Sequence, residues 1–95
     1  MSTVSEKRHM NSVAGIGCIL CRHLDFGTTP PELHHVRSGQ GMAQRSSNFL
    51  VVPLCPEHHR GASGLHGLGT RGFYSRYRLD ELDLLAMTIE QLNLR

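Results

Sequence analysis

Asn48-Phe-Leu-Val-Val-Pro-Leu54 runs directly into Cys55-Pro-Glu-His58-His59-Arg60. The first half is apolar and β-branched at Val51 and Val52, the composition of a strand. The second half reads as a helix start. Proline at a first helical position gives up an N–H that has no intrahelical partner, and a glutamate in the first turn suits the positive end of the dipole. The helix is expected to be short, because Gly61, Gly64, Gly67, Gly69 and Gly72 follow and read as a flexible loop. Upstream, Glu32-Leu-His-His-Val-Arg37 reads as a second strand and Ser38-Gly-Gln-Gly41 as the turn, after a stiff linker at Thr28-Thr-Pro-Pro31. Strand, turn, strand and short helix make an α+β unit: a β-hairpin followed by a helix, with other helical material around it.

The C-terminal segment is an amphipathic helix. Asp80 is placed as its N-cap, with Leu79 and Leu84 forming a hydrophobic staple. Leu82, Leu85, Ile89 and Leu92 recur at steps of three and four, so they are expected to face the core beneath a solvated acidic surface. Phe73, Tyr74 and Tyr77 have near-helical spacing and are expected to pack against this helix rather than stack on bases. At the other end, residues 1–12 read as a flexible basic arm, leaving 13–95 as a single domain.

The chain has 95 residues, 5% aromatic residues and no Trp. A domain of this size buries only about 60% of its unfolded surface, and a core so thin calls for a staple. Three cysteines cannot all pair within one chain, which argues against a secreted disulfide scaffold and for metal. The polar start lacks the apolar stretch of a signal peptide, and no apolar run approaches the roughly 20 residues of a membrane span. The expected location is cytoplasmic, without a membrane partner.

Cys18-x-x-Cys21 offers two thiolates to one tetrahedral ion, and Cys55-x-x-His58 repeats the spacing. The gap between them can hold the hairpin. Cys18, Cys21, Cys55 and His58 therefore form a candidate Cys3His structural zinc site, whose binding energy contributes to folding. His34, His35 and His59 are left over. His58 and His59 project about 100° apart on a helix, so if His58 joins the zinc, His59 faces elsewhere, onto the hairpin. Successive strand residues point to opposite faces, so His34 and His35 share one site only near a strand end or bulge. Imidazoles can ligate a metal and act as a base near neutral pH, as phosphodiester hydrolysis requires. His9 and His23 read as surface residues.

Together, Glu32-Leu-His-His-Val, Asn48-Phe-Leu-Val-Val-Pro-Leu-Cys55 and Pro-Glu-His58-His59-Arg60 resemble the HNH endonuclease superfamily over roughly residues 18–60. The run from Leu65-His66-Gly67 to Asp80-Glu-Leu-Asp-Leu-Leu-Ala-Met87 is similar, more narrowly, to phage recombination-enhancement nucleases of the Ref type, HNH enzymes that cut DNA and depend on RecA filaments. The resemblance implies a small ββα-metal (His-Me finger) fold with a zinc knuckle. It makes His34 a ligand of the catalytic ion, His35 the general base, Asn48 a brace of the inter-strand loop and His59 a second ligand. The roles of His34 and His35 can be exchanged in this reading. His58 stands where the family usually has a cysteine, so His58 and His59 can also trade metals. His66 is either a third ligand or an exposed loop histidine. Mg2+ or another divalent ion would polarise the scissile phosphate and stabilise the leaving 3′ oxygen, giving a 5′ phosphate and a 3′ hydroxyl.

Nine of the ten basic residues are Arg, and all but Arg95 precede Leu79, whereas four of the eight acids lie beyond it. Such asymmetry suits phosphate contact and equally suits an ordinary solvated surface. Arg37, Arg45, Arg60 and Arg71 flank the proposed site and would position DNA without reading its sequence. The expected partners are DNA and a RecA-type filament. The alternatives are a non-catalytic zinc-stabilised nucleic-acid-binding module and a ribonuclease of the same fold. The surplus histidines discriminate against the binding module, which has no use for them.

Overall fold

A computed structural model describes residues 2–38 and 46–94. Strands β1 (Glu32–His35) and β2 (Val51–Leu54) pair antiparallel, with His34 opposite Val52 and His35 opposite Val51. β2 is buried throughout. Pro53 is tolerated within it because a two-stranded sheet leaves one edge without a ladder. Both strands are shorter than the sequence reading, and Asn48 sits in a turn before β2. The Ser38–Gly41 turn extends outside the described residues, and Arg45 lies outside them.

After β2, Cys55 caps α3 (Pro56–Arg60), with proline at its start as expected. Gly61 to Gly64 form a short turn, as expected, but Gly67, Gly69 and Gly72 lie within α4 (Leu65–Tyr77), a helix bent where Gly69 takes a left-handed φ of 72°. Two glycines serve close approach. A Cβ on Gly64 would lie 2.4 Å from the His58 carbonyl carbon, and one on Gly67 would lie 2.2 Å from the Gly61 carbonyl oxygen. Without side chains there, the first turn of α4 presses onto the end of α3.

Residues 1–12, expected as an arm, are largely helical. They form α1 (Val4–Ala14), started by a capping box in which Thr3 and Glu6 satisfy each other's backbone N–H groups. The short helix α2 (Ile19–His23) follows, with Cys18 at its N-cap. The core gathers Ile16, Ile19, Leu20, Val36, Val52, Leu54, Phe73 and Leu84 around Cys18, Cys21 and Cys55. Phe73 is fully buried, with its ring 4.7 Å from that of Tyr77. Among the described residues, no helix is long and apolar enough to cross a membrane.

The last helix, α5 (Glu81–Asn93), has the expected Asp80 cap, reinforced by Asp83. Its phase differs from the sequence reading. Leu84 and Thr88 are the buried positions, at 0% and 1% exposure, while Leu82 and Ile89 are 53% and 48% exposed. Counting apolar residues alone passes over Thr88, which can enter the core because its hydroxyl donates to the Leu84 carbonyl at 2.8 Å. Leu85 and Leu92 lie at the margin, packed against the cluster. In denaturant unfolding, Leu84→Ala is expected to cost about 2–5 kcal/mol and Leu82→Ala less than about 1 kcal/mol. Equal losses would contradict this helix orientation.

Candidate active site

Cys18 ends the apolar turn after α1, Cys21 lies one turn into α2, and Cys55 and His58 bracket the first turn of α3. Their ligand atoms meet in the core. His58 Nδ1 lies 3.7, 3.5 and 3.4 Å from the sulfurs of Cys18, Cys21 and Cys55, and Cys21 and Cys55 Sγ are 3.9 Å apart. Tetrahedral zinc, with Zn–S of about 2.3 Å and Zn–N of about 2.0–2.1 Å, requires S···N of about 3.6 Å and S···S of about 3.8 Å. This buried group could therefore hold a metal such as zinc. Burial above all, with the neighbouring Cys21 and Cys55 adding to it, pushes the Cys18 thiol up to about 12, so a thiolate there needs a cation beside it. Burial also lowers the basicity of His58, favouring the neutral ring that a metal requires.

A second group lies one helical step away. His34 comes from β1, His59 from α3 and His66 from the first turn of α4, and their ligand nitrogens all lie within 4.8 Å of one another. His34 Nδ1 is 3.3 Å from His59 Nε2. The far nitrogen of each ring meets a carboxylate: His34 Nε2 contacts Glu81 Oε2, and His59 Nδ1 is 2.9 Å from Glu32 Oε1.

Both carboxyls stay ionised. Bonds from Arg60 and then His59 hold Glu32 down at about 2. Burial works to raise Glu81, but hydrogen bonds from His34, Arg37 and Ser38 outweigh it and leave the carboxyl below its ordinary range. An ionised carboxylate only accepts, so each neutral ring must turn its N–H toward its carboxylate. The lone pairs of His34 Nδ1 and His59 Nε2 then face each other. Two ring nitrogens on one divalent ion are separated by about 3.0–3.5 Å, so a cation fits between them. Burial further disfavours protonation of His34, which keeps its lone pair available.

His35 lies outside this trio, as strand alternation requires. Its Nε2 lies 2.8 Å from Asn48 Oδ1, while Asn48 Nδ2 donates to Glu6 Oε2 at 2.9 Å and to Ser2 Oγ at 3.2 Å. The acceptor-only Glu6 orients the amide: its NH2 faces Glu6 and its oxygen faces His35, so Nε2 of His35 carries the proton and Nδ1 the lone pair.

A cavity of about 460 Å³ opens beside the trio, bordered by His34, His66, Arg37, Thr70 and Glu81. Of the arginines read from sequence, Arg37 borders this cavity and Arg71 is exposed on α4. Arg60 is engaged by Glu32, at 2.8 Å from NH2 to Oε2. The structure groups His58 with the thiols and His59 with His34, and it places His66 in an exposed helical turn within reach of both hairpin and α3.

Three carboxylates escaped the sequence reading. Glu32 carried a usable signal, since it stands two residues before His34 on the same strand and so shares its face. Glu6 and Glu81 carried none, reaching their partners across 42 and 47 residues.

Fold and site together define a small α+β protein built around two groups able to hold metal ions. The family described as recombination enhancement, RecA-dependent nuclease matches residues 2–93, and the chain belongs to that family, whose members are nucleases. No match was found among curated proteins.

Metal analysis is expected to find about one tightly held zinc per chain. Cys55→Ala should lose it together with the cooperative thermal transition. A variant that lacks zinc yet melts like the wild type would contradict the role of this cluster.

Proposed function

We propose that the protein is a metal-dependent HNH-type endonuclease that hydrolyses DNA phosphodiester bonds with low sequence specificity, in phage- or prophage-like recombination or repair, alongside a RecA-type filament. The observation that carries this reading is the 3.3 Å approach of His34 Nδ1 to His59 Nε2, with a carboxylate on the far nitrogen of each ring, at the edge of a cavity. A fold-stabilising zinc site does not require it, because Cys18, Cys21, Cys55 and His58 already supply one. Family membership supports nuclease chemistry.

In this reading His34, His59 and His66 hold the catalytic ion. Bound there, Mg2+ or another divalent ion would supply the positive charge needed to polarise the phosphodiester and stabilise the leaving oxygen. The cavity needs that charge, because Glu81 and Asp80 border it along with Arg37. Arg37 and Arg71 contact flanking phosphates, with no base-reading element involved. His35 takes the proton from the attacking water at Nδ1, the nitrogen left free by Asn48. Asn48 keeps the ring in that tautomer, and Glu6 keeps Asn48 from flipping. The N-terminal helix thereby serves the base, while α3 and α4 serve the ion.

The test is nicking of supercoiled plasmid with Mg2+ or Mn2+, with and without a RecA filament, by wild type and His35→Ala. Loss of a general base is expected to slow cleavage by about 10²- to 10⁴-fold while leaving metal uptake unchanged. Equal nicking by the two proteins, or none by either in any of these conditions, would overturn the proposal.

A further inference from the structure

Glu81 bonds two parts of the hairpin at once. Its Oε2 contacts Nε2 of His34. Its Oε1 accepts from the backbone N–H groups of Arg37 at 2.9 Å and Ser38 at 2.7 Å, and from the Ser38 hydroxyl at 2.8 Å. The carboxylate is held in turn by a fixed helix end. Asp80 and Asp83 cap each other's backbone at 2.8 and 2.9 Å, and Leu84 anchors the same turn in the core. Glu32 plays the corresponding part for His59, but the oxygen that meets His59, Oε1, also accepts from the exposed guanidinium of Arg60 at 3.1 Å.

We propose that Glu81 is a positioning residue of the histidine centre: by taking the Nε2–H of His34 on one oxygen and clamping the chain after β1 with the other, it fixes the tautomer and ring orientation that present Nδ1 to the ion. This rests on the reading of His34, His59 and His66 as metal ligands. The physical reason is that neutral imidazole has one N–H and one lone pair, so whichever nitrogen donates leaves the other to ligate. Placing the carboxylate on a capped helix restricts how far the ring can swing. The C-terminal helix then contributes to the centre as well as to packing.

Glu81→Gln separates the two functions. Three donors converge on Oε1, so the amide oxygen of glutamine takes that side and the hairpin clamp is kept. The amide NH2 then faces His34, whose Nε2 must accept, and the proton moves to Nδ1, where it blocks the metal. Zinc-loaded wild type, Glu81→Gln and His34→Ala are titrated with Mn2+, which the thiolate-rich site disfavours, by electron paramagnetic resonance of the free ion. Long-range 1H–15N spectra report the His34 tautomer before Mn2+ is added.

Glu81→Gln is expected to keep the wild-type melting curve and its zinc, to show His34 protonated at Nδ1, and to bind Mn2+ about 10- to 100-fold more weakly. Wild-type Mn2+ affinity in Glu81→Gln, or an unchanged His34 tautomer, would overturn the role of Glu81 alone. Wild-type protein that binds no more Mn2+ than His34→Ala would overturn the metal reading and this inference with it. If the Glu81→Gln melting curve drops, Ser38→Ala serves as the control for the clamp. A tenfold Mn2+ loss in Ser38→Ala, with the tautomer kept, would assign the effect to the clamp and overturn the tautomer role.

Discussion

Three sulfurs and one imidazole nitrogen converge inside the hydrophobic core, with every S···N separation between 3.4 and 3.7 Å. They tie the turn after α1 to the start of α3. The hairpin lies between those two points in sequence and is clamped at both ends. Structural zinc binding is worth about 10–16 kcal/mol in small domains, as large as the whole net stability of about 5–15 kcal/mol typical of a folded protein. A chain with so few aromatic residues can therefore spend its remaining side chains on chemistry.

Two periodicities divide the histidines between tasks. A helix turns about 100° per residue, so His58 enters the thiol cluster and its neighbour His59 faces β1. A strand reverses its face at every residue, so His34 meets His59 while His35 turns to Asn48. Each adjacent pair is split by the geometry of the element that carries it. The result is a Cys3His group for the fold, a histidine trio beside a cavity and a separate imidazole held by an amide.

Much of this could be read along the chain because it depends on short spacings. The Cys-x-x-Cys and Cys-x-x-His pairs, the proline after Cys55 and the β-branched residues of β2 each report local geometry. The misreadings arose where context reverses a local preference. The glycines after Arg60 looked like loop residues, yet Gly64 and Gly67 permit contact between α3 and α4 that a Cβ would block. Residues 1–12 read as an arm because their polar composition hides the Thr3–Glu6 capping box that starts α1. Leu84 and Thr88 face the core in place of Leu82 and Ile89, and Thr88 can do so because its hydroxyl is satisfied within the helix. The carboxylates of Glu6 and Glu81 reach their partners only through the tertiary fold, so no spacing rule could have announced them.

The two-centre arrangement is tested most directly by anomalous diffraction from a crystal grown with zinc and soaked in Mn2+, recorded at both absorption edges. It requires a zinc peak among Cys18, Cys21 and Cys55 Sγ and His58 Nδ1, and a separate manganese peak between His34 Nδ1 and His59 Nε2, beside His66. A single peak at the cysteines, with His34 and His59 joined by a hydrogen bond and no ion between them, would contradict it.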